Sequence, residues 1–420
     1  MQQQETACQS VRPSKEVRRQ TGPPGTAPPW SIQRGWICRI RLSMSHLPSP
    51  SDAVEPALQP PAPVTWPDAQ RQTAFAIWLQ AQQAKHSLVP TSLRLASADA
   101  SFRRYFRVDT QNGASCVIMD APPAFEDCRP FVKVAALMQA AGLRAPQVLA
   151  WDEAQGFMLL TDLGQHTLLA VMDTAHAERN HGLYLQAIDA LIAWQQASRP
   201  GVLPPYDDAL LRRELDLFPA WYLAQHRQIQ PDAAMQQTLD GLFKKITAHN
   251  LAAPCVYVHR DFMPRNLMAV DTAHGQADAR IGVLDFQDAV YGPITYDIAS
   301  LLRDAFLTWP EDFVLDISVR YWQQARAAGL FGGHAFGDDF GEFYRAVEWM
   351  GLQRHLKILG IFARLTLRDG KPKYLADTPR FIAYVRATCA RYRELTPLLR
   401  LIDQVEGTAA PVGYAFGRVA

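Results

Sequence analysis

Asp261, Asn266 and Asp285 carry oxygen-bearing side chains at a spacing suited to moving a phosphoryl group. Residues 256–267 read Val-Tyr-Val-His-Arg-Asp-Phe-Met-Pro-Arg-Asn-Leu, and residues 281–288 read Ile-Gly-Val-Leu-Asp-Phe-Gln-Asp. The first stretch starts as a short apolar β run at 256–258 and ends in a polar loop. A second run at 267–270, a turn over 271–280 containing His274-Gly275, and a return strand at 281–284 predict a β-hairpin. In an antiparallel hairpin the first residue of one arm lies beside the last residue of the other, so Asn266 and Asp285 meet at the open end. Asp261 is a loop's length away. A carboxylate facing an acceptor hydroxyl, with an amide and a second carboxylate for Mg²⁺, is what phosphoryl transfer from a nucleotide requires.

Alone, a His-x-Asp is commonly a loop cap and an Asp-Phe a strand end. Together, His-x-Asp-x4-Asn followed by apolar residues and Asp-Phe resembles the catalytic core of protein-kinase-like phosphotransferases. On this reading Asp261 accepts or orients the acceptor proton, and Asn266 and Asp285 hold magnesium. His259 braces the loop. Asp297, at the start of a helix, ties that helix to the loop, and Arg265 and Gln287 line the opening towards substrate.

The elements that must position these groups fall into two lobes. Apolar periodicity predicts a helix over 68–85, then strands at 92–95, 102–108 and 115–119 with a hairpin turn at Gln111-Asn112-Gly113. A helix at 129–141 and strands at 147–151 and 157–160 complete a small five-stranded antiparallel sheet with one crossing helix. After Gly164 the pattern is mainly helical apart from the catalytic hairpin, with helices near 183–197, 208–225, 232–249, 294–305, 311–328, 341–367 and 378–405. The fold class is therefore α+β, a protein-kinase-like two-lobe arrangement. Residues 1–65 form a Pro-rich leader and linker, with Met44 a candidate true start. Residues 66–163 are the nucleotide-binding lobe, 164–405 the catalytic and sugar-binding lobe, and 406–420 a tail.

The loop 96–101 (Ala-Ser-Ala-Asp-Ala-Ser) occupies the place of a phosphate-covering glycine-rich loop, with Ser97 and Ser101 as hydroxyl donors. Asp99 is an awkward neighbour for phosphates. Thr161, Asp162 and Leu163, at the lobe connection, are assigned to adenine by position. The third strand carries Met119 where a phosphate-binding Lys is expected, and the helix after it has no carboxylate to pair with one. The substitute is sought among Arg103, Arg104, Arg107 and Lys133, with Arg104 favoured.

A 48% hydrophobic and 20% charged composition is ordinary for a soluble globular protein. A net charge of +1 gives no bulk electrostatic case for nucleic acid or membranes. No apolar stretch is long enough to span a bilayer. Six scattered cysteines without a Cys-x-x-Cys pair argue against zinc and disulfides and fit a reducing cytoplasm. The leader lacks a signal peptide's apolar core, although its Arg-rich, acid-poor composition imitates a transit peptide.

The stretch 259–297 is similar to the aminoglycoside phosphotransferase family. Residues 97–107 (Ser-Ala-Asp-Ala-Ser-Phe-Arg-Arg-Tyr-Phe-Arg), 119–123 (Met-Asp-Ala-Pro-Pro) and 349–364 (Trp-Met-Gly-Leu-Gln-Arg-His-Leu-Lys-Ile-Leu-Gly-Ile-Phe-Ala-Arg) resemble one branch, the bacterial anomeric amino-sugar kinases of cell-wall recycling. The resemblance runs from about 66 to 403. It implies ATP and Mg²⁺, phosphorylation of N-acetylmuramate and N-acetylglucosamine at C1, and a downstream uridylyltransferase on a route that bypasses fosfomycin's target. No stable protein partner is expected. Between 349 and 373, Arg354, Lys357, Arg364, Arg368, Lys371 and Lys373 face one Asp369, a balance that suits a carboxylate-bearing sugar and not a polycationic antibiotic. Arg354 and Arg213 are the expected substrate contacts, against the alternative of a charged helix face. Trp221 and Trp349 are read as core in preference to sugar platforms. The competing readings are a kinase of another hydroxylated metabolite (an amino alcohol or antibiotic) and a nucleotide-binding pseudokinase.

Overall fold

The computed structural model describes residues 64, 66, 68–97, 103–270 and 279–408, all within one unit, Pro60–Ala420. Its elements in chain order are α1 (Ala69–His86), β1 (Leu88–Ser97), β2 (Arg104–Thr110), β3 (Ser115–Asp120), α2 (Arg129–Ala140), β4 (Val148–Asp152), β5 (Phe157–Thr161), α3 (Leu168–Val171), α4 (His181–Gln196), α5 (Asp208–Leu215), α6 (Ala233–Leu251), β6 (Cys255–Val258), β7 (Leu267–Met268), β8 (Gly282–Val283), β9 (Val290–Pro293), α7 (Thr295–Leu302), α8 (Glu311–Ala327), α9 (Phe340–Leu367), α10 (Thr378–Arg391) and α11 (Thr396–Glu406).

The first five strands make one antiparallel sheet in the order β1-β2-β3-β5-β4. Side-chain alternation sorts its two faces. Phe157, Leu159 and Ile118 join Phe75, Trp78 and Leu79 of α1, whereas Met158, Leu160 and Met119 join Phe131, Val134 and Met138 of α2. Both faces are covered, so β5 reads as an unbroken apolar run. Gly156 turns the chain between β4 and β5 with φ +69°, and a Cβ there would meet the Ala121 carbonyl oxygen at 2.0 Å. Only glycine fits.

The remainder is helical around α9, with two small ladders. β7 pairs with β8 as the predicted hairpin, Leu267 opposite Val283 and Met268 opposite Gly282. β6 pairs instead with β9, a strand that the sequence did not announce. Gly292 and Pro293 masked it, and Pro293 is tolerated because it sits at the ladder's end, opposite Cys255. Two long helices expected from periodicity are interrupted. The 208–225 helix ends at Leu215 and resumes as a π-helical turn, Phe218–His226, because Pro219 has no N–H for the α ladder. The 378–405 helix breaks at Tyr392, which is extended (φ −117°, ψ 115°), and restarts with Pro397 in the first turn of α11.

Candidate active site

β6 delivers the chain into the loop 259–266, and β7 takes it away. The loop's shape is dictated by backbone groups that side chains capture. Asp297, fully buried at the start of α7, accepts the N–H groups of His259 (2.7 Å) and Arg260 (3.0 Å). Burial pushes the Asp297 carboxyl up to about 6, against the pull of His259 and these two N–H groups. The Asp261 N–H donates to His259 Nδ1 (3.2 Å), so the ring's proton is on Nε2, which donates to the Leu284 carbonyl (2.9 Å). His259 thus links the loop to the return strand. Arg260 is left-handed at φ +78°.

The open end of the hairpin brings the predicted groups together. Asn266 Nδ2 donates to the Asp261 carbonyl (2.9 Å) and to Asp285 Oδ2 (3.3 Å). Asp285 is exposed, left-handed at φ +63°, and takes Gln287 Nε2 on its other oxygen (2.9 Å). Asn266 thereby keeps its carbonyl oxygen for a ligand, and with the Asp285 carboxylate it offers two hard oxygens. That donor set fits Mg²⁺, which takes few protein ligands and completes its shell with phosphates and water. Among the described residues no cluster of three His, Cys, Asp or Glu could hold a metal by itself.

The Asp261 side chain keeps 43% of its surface exposed at the mouth of the loop. Partial burial pushes its carboxyl up, but Lys357 and Arg354 outweigh that and hold it below the ordinary carboxylate value. These cations come from α9, beneath the loop. Arg354 Nη1 donates to the Arg260 carbonyl (2.8 Å) and to the Tyr296 hydroxyl (3.3 Å), and lies 3.6 Å from Asp261 Oδ1. Lys357 Nζ meets Glu214 of α5 (2.9 Å) and the Tyr296 hydroxyl (3.1 Å). Glu214 also binds Arg260 Nη2 (2.5 Å) and the Tyr206 hydroxyl. Glu214, Tyr206 and Tyr296 were missed from sequence, and Lys357 was named only as part of a basic stretch suited to the substrate. The available signal was the polar run Gln353, Arg354, His355 and Lys357 inside an otherwise apolar helix, since such residues are buried only with partners.

Several expectations are corrected. Arg354 was expected to contact substrate, but only 1% of its side chain is exposed and its guanidinium serves the loop. Arg213 is exposed on α5 and makes none of the site's contacts. Arg104, favoured for phosphate, is drawn with Arg71 onto buried Asp120 and lies over the Trp66 ring. Arg103 binds Glu126 and Arg107 binds Asp162, while Lys133 donates to the Val202 carbonyl (2.5 Å). Asp162 is a structural anchor, accepting from Arg107, Ser115 and the Gly164 N–H. Thr161 pairs with Gln147, and the Leu163 carbonyl takes Arg144 (2.8 Å). Ser101 lies outside the described residues; Ser97 ends β1 and its side chain is likewise outside them. Met119 is fully buried, so the strand position is apolar in fact.

Arg265 stacks over Phe306 (5.0 Å) beside the loop. Gln287 and Arg260 border a cavity of about 590 Å³ whose far wall includes Arg129 and Lys133 of α2. Trp349 is buried against His249 and Tyr392, and Trp221 packs on the same core. A basic sugar pocket between 349 and 373 is not formed as a unit, because Arg354 and Lys357 point inwards while Arg368 pairs with Asp369 on the surface. No helix among the described residues is long and apolar enough to cross a membrane.

Comparison with known proteins places the chain among phosphotransferases. The family described as "Phosphotransferase enzyme family" matches residues 92–331. The chain is 48% identical over 343 residues to the N-acetylmuramate/N-acetylglucosamine kinase of Neisseria meningitidis serogroup B, covering 80% of this chain and 97% of that protein. It is 48% identical over 314 residues to the protein of the same name from Pseudomonas aeruginosa, covering 74% and 88%. The solved structure of an ethanolamine kinase from Plasmodium vivax superposes with a TM-score of 0.52 at 12% identity, covering 80% of this chain and 93% of that one, a likeness of fold.

Proposed function

On the premise that this chain belongs to the phosphotransferase enzyme family, we propose that it transfers the terminal phosphoryl group of ATP to the anomeric hydroxyl of N-acetylmuramate and N-acetylglucosamine. The observation that carries this reading is the exposed Asp261 carboxylate at the mouth of a loop whose other end pairs Asn266 with Asp285. A nucleotide-binding regulator has no use for an acceptor-facing carboxylate. An anomeric hydroxyl is more acidic than an ordinary alcohol because the ring oxygen withdraws charge. A carboxylate held below its ordinary basicity by Lys357 and Arg354 is therefore adequate to orient and receive its proton.

Asn266 and Asp285 would hold Mg²⁺, which when bound supplies neutralising charge to the nucleotide's phosphates. The chain's own contribution is positional. His259 and Asp297 fix the loop, Asp261 aims the acceptor oxygen, and Gln287 steadies Asp285. The product, a sugar 1-phosphate, suits a uridylyltransferase that makes a UDP-sugar, and a need for ATP fits a cytoplasmic location.

The test is incubation with MgATP and each sugar, followed by phosphorus NMR for a 1-phosphate. Asp261→Asn should remove turnover while ATP still binds. Product at another hydroxyl, or an Asp261→Asn enzyme with undiminished turnover, would overturn the proposal.

A further inference from the structure

We propose that Arg354 is a positioning residue for the transfer step. It clamps the peptide between Arg260 and Asp261 from below and so sets where the Asp261 carboxylate points. The inference rests on the function proposed above.

The argument starts from the backbone. Arg260 is a non-glycine residue at φ +78°, a conformation that an L side chain abandons unless its surroundings hold it. Three side chains hold the polar backbone groups around it. Asp297 of α7 takes the N–H groups of His259 and Arg260. The next peptide plane is gripped on both edges, its N–H by His259 Nδ1 and its carbonyl by Arg354 Nη1 at 2.8 Å. Turning that plane changes ψ of Arg260 and φ of Asp261, and wherever the two changes do not cancel it redirects the Asp261 Cβ. The Asp297 bonds lie upstream of this rotation and cannot prevent it. The His259 and Arg354 contacts oppose it directly, and Asn266 holds the Asp261 carbonyl one bond further on.

Burial argues against a purely stabilising role. The Arg354 side chain is 1% exposed, and its Nε and Nη2 are buried without a hydrogen-bond partner among the described residues. It is also close to two further cations, Lys357 and Arg260, which share Glu214. A buried guanidinium with idle donors and like-charged neighbours is weak evidence of a purely stabilising role. What an apolar side chain lacks is a donor for the Arg260 carbonyl.

The two roles predict different results for Arg354→Met. A positioning role predicts kcat for N-acetylglucosamine down by about 100-fold, the effect of moving a reacting group by roughly an ångström, and out of proportion to any fall in melting temperature. KM for ATP should stay within about threefold of the wild type, because the lost contact acts at the chemical step. Arg354→Lys, which restores a donor in reach of the carbonyl, should recover part of kcat. Gln353→Met, one residue away on α9, loses a bond to the Leu211 carbonyl and should lower the melting temperature with kcat unchanged. Unchanged kcat in Arg354→Met, or a kcat loss that tracks a lower melting temperature in both Arg354 variants, would overturn the inference. If Arg354→Met does not fold, Arg354→Gln decides by the same split. Should the wild type phosphorylate neither sugar, the proposed function fails. The clamp is then read from amide hydrogen exchange, where Arg354→Met must speed exchange at Asp261 and leave α10 unchanged; equal exchange at Asp261 would refute it.

Discussion

Glu214→Gln is the sharpest probe of the charge arrangement under the catalytic loop. Glu214 is buried on α5, and its Oε1 receives both Arg260 Nη2 (2.5 Å) and Lys357 Nζ (2.9 Å), while Tyr206 donates to Oε2. Burial alone would raise its carboxyl; Lys357 and Arg260 hold it below the usual value, so it is an anion in the fold. Glutamine preserves shape and one acceptor but removes the charge, and 10% and 20% exposed side chains of Lys357 and Arg260 then confront each other with no counter-ion between them. Breaking a buried pair in this way costs about 3–5 kcal/mol. For a folded unit of this size that is a fall in melting temperature of about 6–10 °C, at roughly 2 °C per kcal/mol. Lys357→Met should cost less, because Glu214 keeps Arg260 and Tyr206. The double variant should be less destabilised than the sum of the singles by about 1–3 kcal/mol, the coupling expected of contacting charges. Guanidinium melts of the four proteins measure this cycle. A Glu214→Gln cost below about 1 kcal/mol, or additive singles, would refute the account of this network.

Burial pushes His355, stacked on Tyr384, down to about 3, and His249 down to about 4. Their folded values lie below the unfolded 6.5, so their stabilisation is complete above pH 6.5 and is lost as pH falls towards those values, at about 1.4 kcal/mol per pH unit for each. Asp297 and Asp304, raised to about 6, work in the opposite direction, so the comparison must be with His355→Phe, whose stability should fall less between pH 6.5 and 4 than the wild type's; parallel curves would contradict it. Gly360→Ala should lower the melting temperature, because its Cβ would sit 2.4 Å from the Leu217 backbone, an overpacking cost of about 1–3 kcal/mol. Gly351→Ala meets nothing closer than 3.6 Å and should be neutral or stabilising, which thermal melts of both will show. A chelator should abolish turnover, and Asn266→Ala should raise the Mg²⁺ concentration needed for half-maximal rate by about tenfold, read from magnesium titrations at saturating ATP.

The catalytic hairpin was legible because its geometry is local. Asn266 and Asp285 are joined by two short arms and a turn, and antiparallel pairing leaves them one place to meet. The five-stranded sheet was legible for the same reason, from alternation and the Asn112-Gly113 turn. Long-range pairing was not. Arg104, Arg103 and Arg107 look like phosphate ligands until the fold brings Asp120, Glu126 and Asp162 against them, from 16, 23 and 55 residues away. Nothing in local spacing distinguishes an arginine awaiting a nucleotide from one that a distant carboxylate already holds. β9 was hidden by Gly292-Pro293, and the π turn by the assumption that one apolar period means one helix.

The absent strand lysine and the polar run on α9 are two sides of one distribution of charge. On the sheet, Met119 packs into the core on the α2 side, and Arg103, Arg104 and Arg107 are each met by a carboxylate, Arg104 on the α1 side with Arg71. Beneath Asp261 the balance reverses: Arg260, Arg354 and Lys357 share Glu214 and Asp261. A phosphoryl group in transit spreads negative charge over its oxygens, and positive potential fixed before the reaction lowers that barrier most in a site with little water. In this chain that potential is built into the lobe that carries Asp261. Removing a cation from α9 should therefore fall on kcat, and removing one from β2 should fall on the stability of the sheet.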